Sequence, residues 1–205
     1  KQAFIDGKDI HAKTASDIFH VPENLVTSNM RRVAKAVNFG IIYGISSFGL
    51  GENIGMRAVD AKKFIDTYLE TYPGIKEYMD ESIKHAKEKG YVKTMFNRKR
   101  NIPELNNTVY TIRQSGERIA LNTPIQGTAA DIIKLAMVKV YKAFEENHLK
   151  SKMIIQIHDE LIIDTYKDEL EKVQKILKEV MEKVYKLNVP LKVDIHYGKN
   201  WAEAK

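Results

Sequence analysis

Arg31–Gly44 reads R-R-V-A-K-A-V-N-F-G-I-I-Y-G, and its periodicity decides the architecture around it. Arg31, Lys35, Phe39 and Tyr43 recur every four residues. On an α-helix each four-residue step advances about 40° around the axis, so these four form a slowly winding stripe about 120° wide. Val33, Val37 and Ile41 fall on a second stripe, roughly 200–280° round from Arg31. One face therefore offers two cations and two rings, and another is ready for a core. Arg31, Arg32 and Lys35 crowd the positive end of the helix dipole, a conflict that a bound anion would relieve. A phosphate-bearing ligand is the natural candidate. The competing reading is an amphipathic helix with solvated charges whose Phe and Tyr turn into the core, and spacing alone favours it.

Working outward, Asp9 caps a short helix over 10–19, with Ile10, Thr14 and Ile18 inward, and Pro22 breaks the chain after it. Thr27 and Ser28 suit the N-cap of the 31–44 helix, and Gly44 ends it. Three glycines between 46 and 55 mark short helical turns. Helices are expected over 57–72 and, opened by Pro73, over 73–90, followed by a small basic hairpin over 91–103. The second half predicts a helix over 108–121 and a new helix opened by Pro124 that runs to about 147. Two strands over 153–158 and 161–164 flank an Asp159-Glu160 turn, an amphipathic helix covers 167–187, and 190–197 alternates as a third strand. The fold class is α+β. A helical part (1–105) precedes a part (106–205) with a small antiparallel sheet of about three strands backed by long helices.

Composition agrees with a globular chain: 205 residues, 43% hydrophobic and 29% charged. No apolar run approaches the ~20 residues of a membrane span, and no signal-peptide pattern opens the chain. The absence of cysteine excludes thiol catalysis, disulfides and Cys-ligated zinc. The formal charge is +6, and residues 84–100 alone hold seven cations against Glu88, an equal excess. A basic patch of that kind suits a nucleic-acid backbone, or simply a solvated surface.

Three further groups bear on chemistry. Asp159 and Glu160 are carboxylates at the tip of a hairpin between apolar strands, a rigid frame of hard oxygen ligands of the kind Mg²⁺ takes together with substrate phosphates; ordinary turn chemistry is the plain alternative. Arg118, Asn122 and Gln126 repeat the four-residue step, a row of donors suited to the acceptor-rich minor groove. The small residues of Gln126-Gly127-Thr128-Ala129-Ala130-Asp131 allow close approach of another element or of a nucleic-acid backbone. His11 stands alone on the first helix, either a packing residue or a donor to a phosphate.

Three stretches in this order, R-R-V-A-K-A-V-N-F-G-I-I-Y-G, T-P-I-Q-G-T-A-A-D and Q-I-H-D-E-L, closely resemble bacterial family-A DNA polymerases, the DNA polymerase I type. The likeness runs from D-I-H-A-K-T-A to the terminal Y-G-K-N-W, nearly the whole chain. It implies a fingers subdomain (1–105) followed by the C-terminal part of the palm (106–205). Arg31 and Lys35, helped by His11, would hold the incoming triphosphate. Phe39 would lie against sugar and base, and Tyr43 would occupy the insertion site. Arg118, Asn122, Gln126 and His158 would contact DNA, and Asp159, with Glu160 beside it, would be a catalytic metal-binding aspartate. Lys35 counts among the catalytic residues of the family. The implied cofactor is Mg²⁺ in a two-metal site, and the implied partners are a DNA primer-template and deoxynucleoside triphosphates. A monomer in the bacterial cytoplasm, acting in replication and repair, completes what the likeness implies.

One departure limits it. The family's second essential aspartate, in a D-Y-S-x-x-E strand upstream of the His11 helix, has no counterpart here, and Asp164 and Asp194 lack its context. The chain is accordingly expected to be a fragment that extends no primer alone and binds DNA weakly and in a salt-sensitive way. The competing classes are a single-subunit RNA polymerase, which shares the Lys…Tyr-Gly helix, and a non-catalytic nucleic-acid-binding module.

Overall fold

The computed structural model describes residues 1–204. Two compact units divide it: Gln2–Gly127, and a second from Thr128 onward with which Lys1 groups.

In the first unit, α1 (Gln2–Ile5) and α2 (Ile10–Phe19) lead into α3 (Ser28–Ile42), α4 (Ser47–Ile54), α5 (Ala58–Thr71) and α6 (Pro73–Lys89). The starts of α2, α3 and α4 are fixed by side chains that satisfy orphan N–H groups. Asp9 accepts from the backbone of His11 and Ala12, Thr27 from Met30, and Ser46 from Gly49. The apolar stripe of α3 does what its spacing predicts. Val33, Val37 and Ile41 join Ile18, Leu50, Ile54, Ala61 and Tyr68 in one buried cluster. Gly44 follows α3 at φ +63°, and a Cβ there would lie 3.1 Å from Arg118 Cγ, so a glycine serves both the turn and the approach of the later helix.

The basic hairpin forms as β1 (Tyr91–Lys93) against β2 (Lys99–Asn101), antiparallel, with Val92 opposite Arg100. Val92, Ile102 and Leu105 pack under it with Ala86 and Ala120. The basic residues are the exposed strand itself, and Lys99 Nζ lies 3.8 Å from the centre of the Tyr91 ring.

Pro124 does not open a new helix. A single helix, α7 (Tyr110–Glu146), runs through it. Proline removes one rung of the ladder and crowds the carbonyl four residues back, at a cost of about 3 kcal/mol. Packing on both flanks outweighs that cost. Ala120 and Leu121 are buried, a Cβ on Gly116 would strike the Leu105 backbone N at 2.9 Å, and one on Gly127 would strike Thr94 Cγ2 at 2.7 Å. Thr123, itself buried, accepts from Arg100 at 3.3 Å. Close packing against the segment after β1 therefore accounts for the smallness of Gly127.

In the second unit, β3 (Lys152–Ile157) and β4 (Glu160–Asp164) pair antiparallel, with a bulge between Met153 and Ile155, and α8 (Leu170–Glu182) follows. Val140 and Phe144 of α7 and Val173 and Leu177 of α8 are buried together, with Leu161, Ile163 and Ile195 packed on them. Glu169 ties the start of β3 to the turn before α8. It accepts from the backbone N–H of Lys150 and Ser151, both at 2.9 Å, and from the Ser151 hydroxyl at 2.6 Å. Those hydrogen bonds, that from Lys150 first, hold its carboxyl below the ordinary range.

Two expectations need correction here. The helix predicted over 167–187 is shorter, a 3₁₀ turn over 167–169 followed by α8, which stops at Glu182. The third strand does not form, because 190–197 finds no ladder partner among the described residues. Its alternation survives all the same: Leu191, Val193 and Ile195 are half-buried and Lys192, Asp194 and His196 exposed. The apolar pattern fixes which side faces the core, whereas a strand also needs a free edge to pair with.

Candidate functional site

The first unit brings His11, Arg31, Lys35, Phe39 and Tyr43 to one exposed face made by α2 and α3. Arg31 and Lys35 are exposed, and Phe39 and Tyr43 remain 44% and 40% accessible. The reading that turned both rings into the core is therefore wrong. Phe39 and Tyr43 stack nearly parallel, 6.3 Å between centroids, and the His11 ring sits 5.6 Å from Phe39. Two flat surfaces beside two cations can take a planar aromatic group with an anionic tail.

Two contacts organise this face, and neither was predicted. Arg31 Nε donates to Asp9 Oδ2 at 2.6 Å while the other oxygen of the same carboxylate caps α2. The Arg31 hydrogen bond is the main reason the Asp9 carboxyl lies below its ordinary range. Asn38, buried on α3, donates through Nδ2 to His11 Nδ1 at 3.0 Å and to Thr14 Oγ1 at 3.1 Å. Burial first, then the nearby Arg31 and Lys35, lowers the His11 pKa, with Asp9 opposing. A sequence signal for Asn38 existed. Its helical position, about 340° round from Arg31, lies on the seam between the cationic and apolar stripes, where a buried amide needs partners on a neighbouring helix.

Arg118, Asn122 and Gln126 share a row on α7 within the same unit. Arg118 and Gln126 are exposed, and Arg118 packs on Gly44. Asn122 is half-buried, and its Oδ1 is enclosed without a hydrogen-bond partner.

The second unit holds the acidic group. The turn between β3 and β4 is His158-Asp159, because Glu160 already pairs with Ile157 as the first residue of β4. His158 takes φ +52°, a region non-glycine residues adopt sparingly, and Gln156 Nε2 donates to its carbonyl at 2.8 Å. Asp159 and Glu160 are both exposed. Their oxygens fit a hard cation in kind. In number they do not close a site, since no group of three His, Cys, Asp or Glu able to hold a metal occurs among the described residues.

The geometry can be set beside that of known proteins. The solved POL domain of Pol1 from M. smegmatis, in complex with DNA primer-template and dNTP, has a similar structure: TM-score 0.94 and 37% identity, covering 99% of this chain and 36% of that one. The model of DNA polymerase family A matches residues 1–203, and the chain belongs to that family. DNA polymerase I of Geobacillus stearothermophilus is 50% identical over 204 residues, and that of Bacillus subtilis (strain 168) 52% over 204. In both cases the match takes in all of this chain and 23% of the relative, so the chain spans under a quarter of the length of the relatives it resembles.

Proposed function

We propose that this chain supplies the nucleotide-holding fingers (1–105) and the C-terminal part of the palm (106–205) of a polymerase that transfers deoxynucleotides to a primer 3′ hydroxyl. The observation that carries this is the exposed α2–α3 face, where Arg31, Lys35, His11, Phe39 and Tyr43 converge within one compact unit. Arg31 and Lys35 neutralise the triphosphate. Charge-assisted contacts of this kind contribute about 1.5–3 kcal/mol each. His11 adds a ring N–H donor. Phe39 and Tyr43 give the sugar and base a flat apolar wall that fixes their plane. Arg118, Asn122 and Gln126 hold the primer-template from its minor groove, where donors meet the common acceptors of every base pair, so grip does not depend on sequence. His158 stands beside the primer end.

Asp159, with Glu160 next to it, would hold a divalent cation, Mg²⁺ in this reading. When bound, such an ion lowers the pKa of the attacking hydroxyl and neutralises the leaving pyrophosphate. This chain's part is to hold Asp159 rigidly at a two-residue turn and to orient the phosphates from α3. The M. smegmatis neighbour, described with DNA primer-template and dNTP, supports these partners. The names of the relatives favour DNA over RNA synthesis. No helix among the described residues is long and apolar enough to cross a membrane. Action as a monomer in the cytoplasm fits the reading.

Titrating the 205-residue chain with a dNTP, and following Phe39 and Tyr43 by NMR, tests it. Both rings should shift, and Lys35→Ala should weaken the effect. Binding indifferent to Arg31→Ala and Lys35→Ala alike would reject the assignment.

A further inference from the structure

The Asn38 side chain sits where α2 and α3 meet, and its hydrogen bonds can be followed proton by proton. Thr14 has one hydroxyl proton, and Ile10 O accepts it at 2.7 Å. Thr14 Oγ1 is therefore an acceptor toward Asn38, 3.1 Å away. The amide oxygen lies farther from the same hydroxyl, at 3.3 Å, so the shorter contacts to Thr14 Oγ1 and to His11 Nδ1 both belong to Nδ2. Nδ2 has two protons. One goes to Thr14 and the other to His11 Nδ1, at 3.0 Å. Nδ1 must then present a lone pair, and the proton of a neutral ring belongs on Nε2, which has no protein partner among the described residues.

We propose that Asn38 is a positioning residue that holds His11 neutral, with its proton on Nε2, so that the α2–α3 face offers a neutral N–H donor beside Arg31 and Lys35 rather than a third cation. Its use toward a triphosphate rests on the nucleotide-binding reading of that face; the hold on the ring does not. Protonating Nδ1 would bring two donors together at 3.0 Å in a part-buried contact. The charges facing His11 divide. Asp9 on its own helix favours the imidazolium, and Arg31 and Lys35 on α3 oppose it. Farther along α2, Asp17 is taken up by Lys13 and by the hydroxyl of Tyr72, which follows α5. Its position is about 9 Å along the axis from His11, and Glu23 lies beyond the end of the helix.

The sequence pattern gives this arrangement a purpose. A neutral donor adds no repulsion among the cations before the ligand arrives, and its hydrogen bond does not switch off as pH rises past the ordinary histidine range. Histidine at this place would otherwise make phosphate binding pH-dependent near neutrality.

The test is long-range ¹H–¹⁵N NMR of the His11 ring in the ¹⁵N-labelled 205-residue chain, from about pH 5 to 8. The expected result is a protonated Nε2 and an acceptor-type Nδ1 throughout most of that range. Asn38→Asp places an anionic acceptor at Nδ1 and should raise the titration midpoint by about one unit or more. A ring protonated on Nδ1, an imidazolium at neutral pH, or an Asn38→Asp midpoint equal to that of the unaltered chain overturns the inference. Should Asn38→Asp not fold, the tautomer of the unaltered chain still decides it. Adding dATP separates the two readings. A shifted Nε2 signal whose amplitude is the same at about pH 6.5 and 8 supports both. An Nε2–H ring that dATP leaves unmoved supports Asn38's hold and rejects the nucleotide face.

Discussion

On the α2–α3 face, side chains position side chains: Asn38 grips His11, Asp9 grips Arg31, and Phe39 lies between two other rings. At the β3–β4 turn the backbone does the positioning. Asp159 follows a residue at φ +52° and precedes the first ladder pair, and among the described residues no side chain holds its carboxylate. The contrast separates two kinds of vulnerability. A face built from side-chain contacts loses geometry when a supporting residue changes. A carboxylate presented by backbone loses chemistry while its fold persists.

The largest expected effect tests the second kind. If Asp159 holds the cation as proposed, Asp159→Asn in the full-length protein should lower kcat by about 10³-fold, several kcal/mol of transition-state stabilisation, with the denaturation midpoint unchanged. A matching loss of stability would mean that the turn depends on the side chain after all. Next comes the support of the other face. Ile41, 2% exposed, anchors α3, so Ile41→Ala should cost about 2–5 kcal/mol in denaturant unfolding and broaden the Phe39 and Tyr43 resonances. Lys35→Ala, by contrast, should weaken dNTP binding roughly 10–100-fold in a fluorescence titration while leaving stability alone. Thr27→Ala removes one cap and should cost about 1 kcal/mol, read from the same unfolding curves.

The smallest effects appear in acid. For His11 the folded pKa lies below the ordinary 6.5, so the unfolded chain takes up its proton first as pH falls. Stability should therefore decline with falling pH below that value, until the folded ring titrates too. Asp9 acts lower down. Its carboxyl is held beneath the ordinary 3.8, and its contribution, present above that value, is lost as pH falls through the folded pKa. In a pH series of thermal melts, Asp9→Asn should flatten the lower limb and, by removing the carboxylate that favours the His11 imidazolium, deepen the upper one.

How much of this was legible in the sequence follows from the same physics. Periodicity placed α3 and its buried stripe because burial depends on angle around the axis, and angle is written in spacing. The Asp9 and Thr27 caps were legible because each is a local hydrogen bond. Pro124 misled because its local cost is real, while the packing of Gly116 and Gly127 that outweighs it joins residues 11 to 33 positions apart. The strand expected over 190–197 misled for a related reason: alternation records which side is buried, and pairing is decided elsewhere in the chain. For the proposed site, a four-residue spacing pointed to Arg31 and Lys35, and a carboxylate at a hairpin tip pointed to Asp159. The angular position of Asn38 and the Asp9 cap could be read, but the Asn38–His11 and Asp9–Arg31 contacts exist only once two helices meet.

Asp9 makes the Arg31 position an ion exchanger. Its carboxylate already occupies Arg31 at 2.6 Å, so the guanidinium is not an empty berth. A phosphate that takes Arg31 displaces a resident anion, and the net electrostatic gain is the difference between two partners rather than the whole of one. Salt screens both states of such an exchange. Affinity at this face should then fall with ionic strength less steeply than its count of positive charges suggests, and Asp9→Asn should make the fall steeper.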